Sequence, residues 1–267
     1  MKKYLSPLLI VLLFSCKKSG DGTSNTLLMA EIYRNGHLDN QYLWSADKDL
    51  LRFNEFSVSG NQSNLSLYVL YEYGPDGNMK HRKVFTPNDT LNNRYELMYD
   101  NGGRLSRMDW YFPGNTLYNY RLYEYDQEDR MKKVTEKKGG TNDNIAYTEY
   151  TYDEEGRMIN SQRFSWATDK WRKTQDHDYM TTGKNVYEHW QKFMSMPTDM
   201  YVNELTMASK RIRLYTGDGD VGTDYKDSAT NKKYNGSGYL VSQTITRYYT
   251  KPVQSNVVWE LEYIYLQ

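Results

Sequence analysis

Aromatic and polar residues alternate along most of the chain after residue 26. In segments 71–73, 123–125 and 150–152, two tyrosines are separated by a single polar residue. A period of two places both rings on one face of a β-strand. Short runs of Asp, Asn and Gly follow, as at 76–78 and 101–103, and such residues tolerate the left-handed backbone of a hairpin turn. The pattern predicts successive antiparallel hairpins and shows no long apolar stripe of helical period.

The hairpin pattern recurs in a fixed register, which is marked here at the position of Gly156, the residue before Arg157 in segment 150–158. An apolar residue stands two positions after seven of the eight markers, and a tyrosine stands four positions before six of them, with Ser45 and Thr206 as the departures. The markers are spaced by 26 to 28 residues and are Asp49, Gly77, Gly103, Asp129, Gly156, Gly183, Lys210 and Gly238.

Repeats of this length are units that stack on their neighbours and cannot bury their faces alone. We therefore expect an all-β fold, a long antiparallel meander of about eight hairpin repeats and about sixteen strands, curled into a barrel-like or spiral sheet. Segments 27–32 and 257–266 are strand candidates at the two ends. Pairing them would close a ring and remove two exposed edges. An open spiral with capped ends is the alternative.

A barrel that spans a membrane is a further alternative, and the sequence argues against it. Lipid-facing strands need apolar bands of about 9–11 residues. Segment 131–138 reads Met-Lys-Lys-Val-Thr-Glu-Lys-Lys and offers no such band.

The segment 150–158, Tyr-Thr-Tyr-Asp-Glu-Glu-Gly-Arg-Met, resembles the YD repeats of bacterial rearrangement-hotspot and teneurin-like proteins. The resemblance covers roughly residues 41–250, and the units marked by Asp129 and Gly156 carry it best. Those families build spiral or shell-like sheets, so the resemblance implies a curled meander. It says little about a ligand.

The N-terminus has the features of an export signal. Lys2 and Lys3 precede an apolar run over 5–14, which is too short to span a bilayer. The run ends in Leu-Phe-Ser-Cys at 13–16, and Cys16 is the only cysteine. This box resembles the cleavage and acylation site of bacterial lipoproteins. With the repeats, it is similar to the tandem-repeat lipoproteins of Bacteroidetes.

The lipoprotein resemblance implies a division of the chain into three parts. Residues 1–15 would be a signal peptide, residues 16–25 the lipidated Cys16 and a flexible tether, and residues 26–267 a single β-repeat domain. The anchor would attach the protein to a membrane, and Lys17 in place of an acidic residue favours the outer membrane. An ordinary cleaved signal peptide is the alternative.

Composition narrows the possible functions. The chain has 34 Lys and Arg against 34 Asp and Glu, so it has no basic excess for binding nucleic acid. A mean hydropathy of −0.88 is too polar for a multi-span helical membrane protein. Aromatic residues make up 15% of the chain, which indicates a folded protein.

The tryptophans lie outside the repeat register and are therefore the better candidates for a ligand-binding face. Tyr and Trp rings stack on apolar surfaces and carry a polar group, which suits binding of a glycan or peptide. The repeat tyrosines are better explained as a core ladder across strands. The candidate binding residues are Trp110, Tyr111, Trp166, Trp171 and Trp190.

Asp218, Asp220 and Asp224 lie in a glycine-rich segment that resembles the start of a calcium loop. Gly222 occupies a ligand position, and Ala229 stands where the bidentate Glu belongs. A solvated loop is the simpler interpretation, so we expect no cofactor and keep calcium as the alternative.

No nucleophile elbow, phosphate loop or histidine pair with metal spacing is present in the sequence. We expect a non-catalytic, lipid-anchored protein of the cell envelope whose repeat sheet presents loops that bind a glycan or another envelope protein. Two alternatives stay open: a glycan-acting hydrolase that uses turn carboxylates, and a structural or shielding shell.

Overall fold

The computed structural model describes residues 28–167, 170–181, 207–216, 220–236 and 239–266, and all regular structure in these ranges is β-strand. The predicted all-β hairpin meander is confirmed. The sixteen strands are β1 (Leu28–Arg34), β2 (His37–Trp44), β3 (Leu50–Ser59), β4 (Gln62–Tyr73), β5 (Met79–Phe85), β6 (Leu91–Tyr99), β7 (Leu105–Tyr111), β8 (Leu117–Tyr125), β9 (Met131–Lys138), β10 (Asn144–Tyr152), β11 (Met158–Ala167), β12 (Lys170–Thr181), β13 (Met207–Tyr215), β14 (Val221–Tyr234), β15 (Leu240–Lys251) and β16 (Val257–Leu266).

The sheet is a closed barrel in which every strand pairs antiparallel with its neighbours in sequence, and β1 pairs with β16. At this seam Ile32 lies opposite Tyr263. The Asn35 amide donates to the Glu260 carbonyl at 2.8 Å, and the Glu260 amide donates to Asn35 Oδ1 at the same distance. Of the two predicted closures, the ring is therefore the correct one, and neither terminal strand leaves an open edge.

Alternation gives the barrel two chemically different faces. Leu97 lies opposite Met108 on one face of β6 and β7, whereas Glu96 lies opposite Asp109 on the other. Buried apolar side chains of eleven strands form one contiguous cluster on the first face. Side chains converge on the concave side of a closed sheet and splay apart on the convex side, so the clustered face is the inner one.

The turns at one end of the barrel explain the Asp-x-x-Gly-Arg pattern. The Asp100 amide donates to the Arg104 carbonyl at 2.8 Å, and the intervening Gly103 has a φ of 77°, which favours glycine. Asp100 Oδ1 accepts from the Arg104 amide at 2.9 Å, and its Oδ2 accepts from Arg104 Nε at 2.8 Å. The same contacts recur in the turns Asp126–Arg130 and Asp153–Arg157.

The repeat tyrosines tie each unit to the preceding one. Tyr99 Oη donates to the Met79 carbonyl at 2.8 Å, and burial raises the pKa of Tyr99 to about 12. The Arg104 guanidinium lies over the ring of Tyr125, 5.1 Å from its centroid. The full set of bonds, called the aromatic ladder below, is Trp44 to Met29, Tyr73 to Leu50, Tyr99 to Met79, Tyr125 to Leu105, Tyr152 to Met131 and Tyr265 to Leu240.

The first marker is displaced by one residue from its predicted place. The Ser45 amide donates to the Asp49 carbonyl, and the left-handed residue is Lys48, with a φ of 67°. The buried apolar residue is consequently Leu50, which is 1% exposed, rather than Leu51, which is 46% exposed. Trp44 occupies the tyrosine position, and its Nε1 makes the ladder bond.

The prediction of a turn at Lys210 is wrong. Lys210 lies within β13, opposite Tyr179 of β12 and Asp227 of β14. The connection between β12 and β13 comprises residues 182–206, so the marker Gly183 lies outside the described residues. Between the markers Gly156 and Gly238, the even spacing predicts three hairpin units. The structure has two hairpins there, β11–β12 and β13–β14, joined by residues 182–206.

Candidate ligand-binding faces

Four aromatic side chains gather on the outer face of the barrel beside the β11–β12 turn. The Trp166 and Trp171 rings meet edge to face at 5.1 Å, and Trp171 meets Tyr147 in the same way at 4.6 Å. Tyr147 stacks on Phe164 at 4.8 Å. Trp166 is 43% exposed. We call these four residues the outer aromatic patch.

Strand register explains how this patch forms. Trp166 and Trp171 are directly paired across the hairpin, and Tyr147 is paired with Phe164 on the neighbouring strand. Phe164 and Trp166 are two residues apart on β11, so they point to the same side. A register shift after Arg163 brings Lys173 opposite Phe164. The pairing therefore builds a continuous row of rings from β10 to β12.

Two lysines border the outer aromatic patch. Lys133 Nζ lies 4.1 Å from the centre of the Tyr147 ring, and Lys173 Nζ lies 5.9 Å from that of Phe164. Lys133 also pairs with Glu149 at 3.4 Å. Exposed rings flanked by hydrogen-bonding groups are the arrangement that binds the apolar and hydroxylated faces of a sugar.

The other predicted aromatic platform is divided between the two faces. Trp110 lies on the inner face, where its Nε1 donates to Asn93 Oδ1 at 2.9 Å. Its ring meets the half-exposed Tyr118 edge to face at 4.8 Å. Tyr111 points outward, where the Arg94 guanidinium lies 4.7 Å from the centre of its ring. Trp110 and Tyr111 therefore do not share one surface, and Trp190 lies outside the described residues.

Asp220 and Asp224, two acidic residues of the predicted calcium motif, make different contacts. The Asp220 carbonyl accepts from the Thr216 amide at 2.8 Å in the β13–β14 turn. Asp224 accepts two hydrogen bonds from Arg211, at 2.9 and 2.6 Å, and this contact lowers its pKa. Asp218 lies outside the described residues. Within the described part of the chain, no three His, Cys, Asp or Glu residues are placed to hold a metal ion.

Turn carboxylates are bound to arginines. The Arg104 amide and guanidinium lower the pKa of Asp100. Arg157 pairs with both Asp153 and Glu155, at 2.7 and 2.9 Å. A general acid in a glycosidase needs a raised pKa. The turn contacts shift the pKa of Asp100 in the opposite direction and hold these carboxylates as turn caps.

Sequence reasoning missed Tyr147 and Phe164, although both belong to the outer aromatic patch. Tyr147 is one of many strand tyrosines, and Phe164 is a single aromatic residue within a strand, so neither stands out in the sequence. The signal that could have identified them is Phe164-x-Trp166, followed after four residues by Trp171. Aromatic residues at that spacing face each other across a tight hairpin.

Comparisons with known proteins concern the fold alone. The sequence matches no protein-family model and no curated protein. In structure, the chain is similar to a porin-like protein from Bacteroides uniformis, with a TM-score of 0.55, 10% identity, and coverage of 85% of this chain and 89% of that chain. The two share a barrel fold.

Two further solved structures are more distant. A porin-like protein from Bacteroides vulgatus gives a TM-score of 0.45 at 11% identity, with coverage of 90% of this chain and 99% of that chain. The TcdB2-TccC3-TEV structure gives 0.31 at 11% identity, and the match covers 83% of this chain and 14% of that chain. No helix in the described ranges has the length and apolarity needed to cross a membrane.

Proposed function

We propose that the protein is a non-catalytic, lipid-anchored protein of the bacterial outer membrane and that its outer aromatic patch binds a glycan. The observation that carries this proposal is a row of four rings in successive contact, Phe164, Tyr147, Trp171 and Trp166. Of these, Trp166 is turned to solvent. Solvent-facing rings in mutual contact form a pre-organised platform, so little side-chain entropy is lost on binding.

The outer face supports a barrel held beside a membrane rather than within it. Charged pairs occupy the middle of outer-face strands, such as Lys133 with Glu149, Arg107 with Asp109, and Arg213 with Asp176. An Arg or Lys side chain on a lipid-facing surface costs about 2–4 kcal/mol at the bilayer midplane. Attachment would therefore come from acylation of Cys16, which lies outside the described residues.

Glycan binding is tested with the full chain, solubilised in detergent and screened on a glycan array, followed by titration of any glycan retained. Trp166→Ala should weaken binding at least about tenfold, equivalent to about 1.4 kcal/mol. Phe112→Ala is the matched control, because Phe112 is similarly exposed and lies at the β7–β8 turn, away from the patch. Absence of binding to every glycan, or equal losses in both variants, would refute the proposal.

The anchor is tested by Cys16→Ala. If the cysteine is acylated, the wild-type chain should fractionate with membranes, and the variant should appear in the soluble fraction. Ser15→Ala serves as the control that leaves the acylated residue in place. A Cys16→Ala protein that still fractionates with membranes would contradict lipid anchoring without bearing on the glycan site.

A further inference from the structure

Two arginines contact one glutamate on the inner face of the barrel, and a third arginine lies on the same face. Arg121 of β8 lies directly opposite Glu136 of β9, and Met108 lies opposite Arg121 on β7. Arg163 of β11 and Arg82 of β5 occupy the same face by register, opposite Thr148 and Tyr95 respectively. We call Arg82, Arg121 and Arg163 the inner arginine cluster.

Glu136 contacts two members of the cluster at once. Its Oε2 lies 3.4 Å from Arg121 Nη2 and 3.3 Å from Arg163 Nη2, and its Oε1 accepts from Asn119 Nδ2 at 3.0 Å. Both carboxylate oxygens of Glu136 are therefore occupied. The two contacts from Arg121 and Arg163 each use one Nη2 atom at a long distance, and the Tyr123 hydroxyl is a further hydrogen-bond partner of Arg121.

Arg82 belongs to the same electrostatic environment. Its guanidinium lies 5.0 Å from the centre of the Tyr95 ring. Burial raises the pKa of Tyr95, while Arg82 and Arg121 oppose the increase and Glu136 adds to it. The strand pairing Arg82–Tyr95, Tyr95–Trp110 and Met108–Arg121 places Arg82 on the same inner face as Arg121, three strands away.

The cluster carries more positive than negative charge. Its three guanidiniums are always protonated, and Glu136 contributes one carboxylate, so two positive charges are in excess. Arg121 and Arg163 retain 28% and 31% of their side-chain exposure although they point inward. Water therefore reaches this part of the inner face.

We propose that the inner arginine cluster binds an oxyanion, either a carboxylate or a sulfate or phosphate group, carried by a ligand that enters the barrel. Guanidinium groups recognise such anions through two parallel N–H donors, and a partly enclosed site strengthens the interaction relative to bulk water. Glu136 holds two of the arginines in place and competes with the anion for them. This site is separate from the outer aromatic patch.

The proposal is tested by calorimetric titration of the full chain with inorganic sulfate, inorganic phosphate and glucuronate, each at ionic strength matched with chloride. Arg163→Gln should weaken sulfate binding at least about tenfold. Arg107→Gln is the control, since Arg107 pairs with Asp109 on the outer face, and it should bind as the wild type does. The preferred probe identifies the source of the anion. Tighter binding of glucuronate indicates a uronic acid, and tighter binding of sulfate or phosphate indicates the free ion or its ester.

Glu136→Gln provides a test in the opposite direction. Removing the competing charge should strengthen sulfate binding about three- to tenfold, a result that a merely misfolded variant would not give. The proposal fails if none of the three anions binds, if Arg107→Gln weakens binding as much as Arg163→Gln does, or if Glu136→Gln weakens binding. Loss of glycan binding to the outer patch would leave this test unaffected.

Discussion

Two sectors of the barrel differ in what they place on the inner face. From β15 through β16 and β1 to β9, the buried apolar side chains of the inner face form one cluster that includes Met29, Val69 and Met108, and the charges of Arg121 and Glu136 lie on the same face. From β10 to β14, the inner positions include Ser161, His177 and Lys210. We refer to these as the apolar sector and the polar sector.

The repeat accounts for the difference between the apolar sector and the polar sector. In the apolar sector, the aromatic ladder bonds one unit to the next and the core cluster is continuous, so each unit must repeat the same residues. In the polar sector, buried groups depend on individual hydrogen bonds, such as His177 Nδ1 with Tyr179 Oη at 3.1 Å. Where the repeat stops, individually hydrogen-bonded residues can take the place of the continuous apolar cluster.

The largest effect is expected in the apolar core. Met108 is 1% exposed, so Met108→Ala should lower the free energy of unfolding by about 3 kcal/mol through lost burial and a cavity. Urea denaturation of the full chain measures it. Met98→Ala, on the exposed outer face of the neighbouring strand, is the control and should cost well under 1 kcal/mol. Equal losses would mean that the apolar face is not the stabilising one.

The polar sector should show a distinct dependence on pH. Burial, followed by repulsion from Lys210, lowers the pKa of His177 to about 4, while Asp176 and Asp178 act in the opposite direction. Unfolding releases the imidazole to its ordinary pKa of 6.5, so the unfolded chain binds the proton more readily between these values. The stabilisation is complete above pH 6.5 and is lost as the pH falls towards 4.

His177→Gln should remove this dependence. Relative to the wild type, the variant should lose about 2 kcal/mol less stability between pH 7 and pH 5. Chemical denaturation at several pH values measures the difference. Phe112→Ala at the β7–β8 turn is the control, because it lies outside the polar sector, leaves the surroundings of His177 unchanged and should keep the wild-type slope. Parallel pH profiles for wild type and His177→Gln would contradict the assignment.

Sequence reasoning predicted the apolar sector well because its signals are local. A glycine or aspartate before Arg, with Tyr four residues earlier, defines a turn whose bonds all lie within five residues, as in Asp100–Arg104. The left-handed turn residue Lys48 was not predicted, because a residue other than Gly, Asn or Asp gives little sequence indication of a positive φ. Lys210 was misplaced because even spacing was continued into a region where the repeat stops.

The candidate sites were predicted less completely because they depend on register between strands. Trp166 and Trp171 were predicted as candidates from the sequence. The contact of Trp171 with Tyr147 depends on the pairing of β10 with β11, which the sequence does not show. Trp110 and Tyr111 are adjacent in sequence, and strand alternation therefore separates them. The inner arginine cluster joins residues more than eighty positions apart, from Arg82 to Arg163, and no local pattern marks them.

The aromatic ladder offers the smallest and most specific test of the comparison. Tyr99→Phe removes the hydroxyl that donates to the Met79 carbonyl, and Trp44→Phe removes the indole N–H that donates to Met29. A buried carbonyl left without its donor costs about 1 kcal/mol, which is the loss expected from Tyr99→Phe in urea denaturation, and Trp44→Phe should lose more because it also removes one ring packed against the core. Tyr111→Phe, on the outer face, should cost clearly less. A loss for Trp44→Phe at least as large as that for Tyr99→Phe would indicate that the indole takes the place of the repeat phenol. The first unit would then keep the ladder bond although its sequence departs from the repeat. A negligible loss for both would mean that the apolar sector depends on ring burial alone.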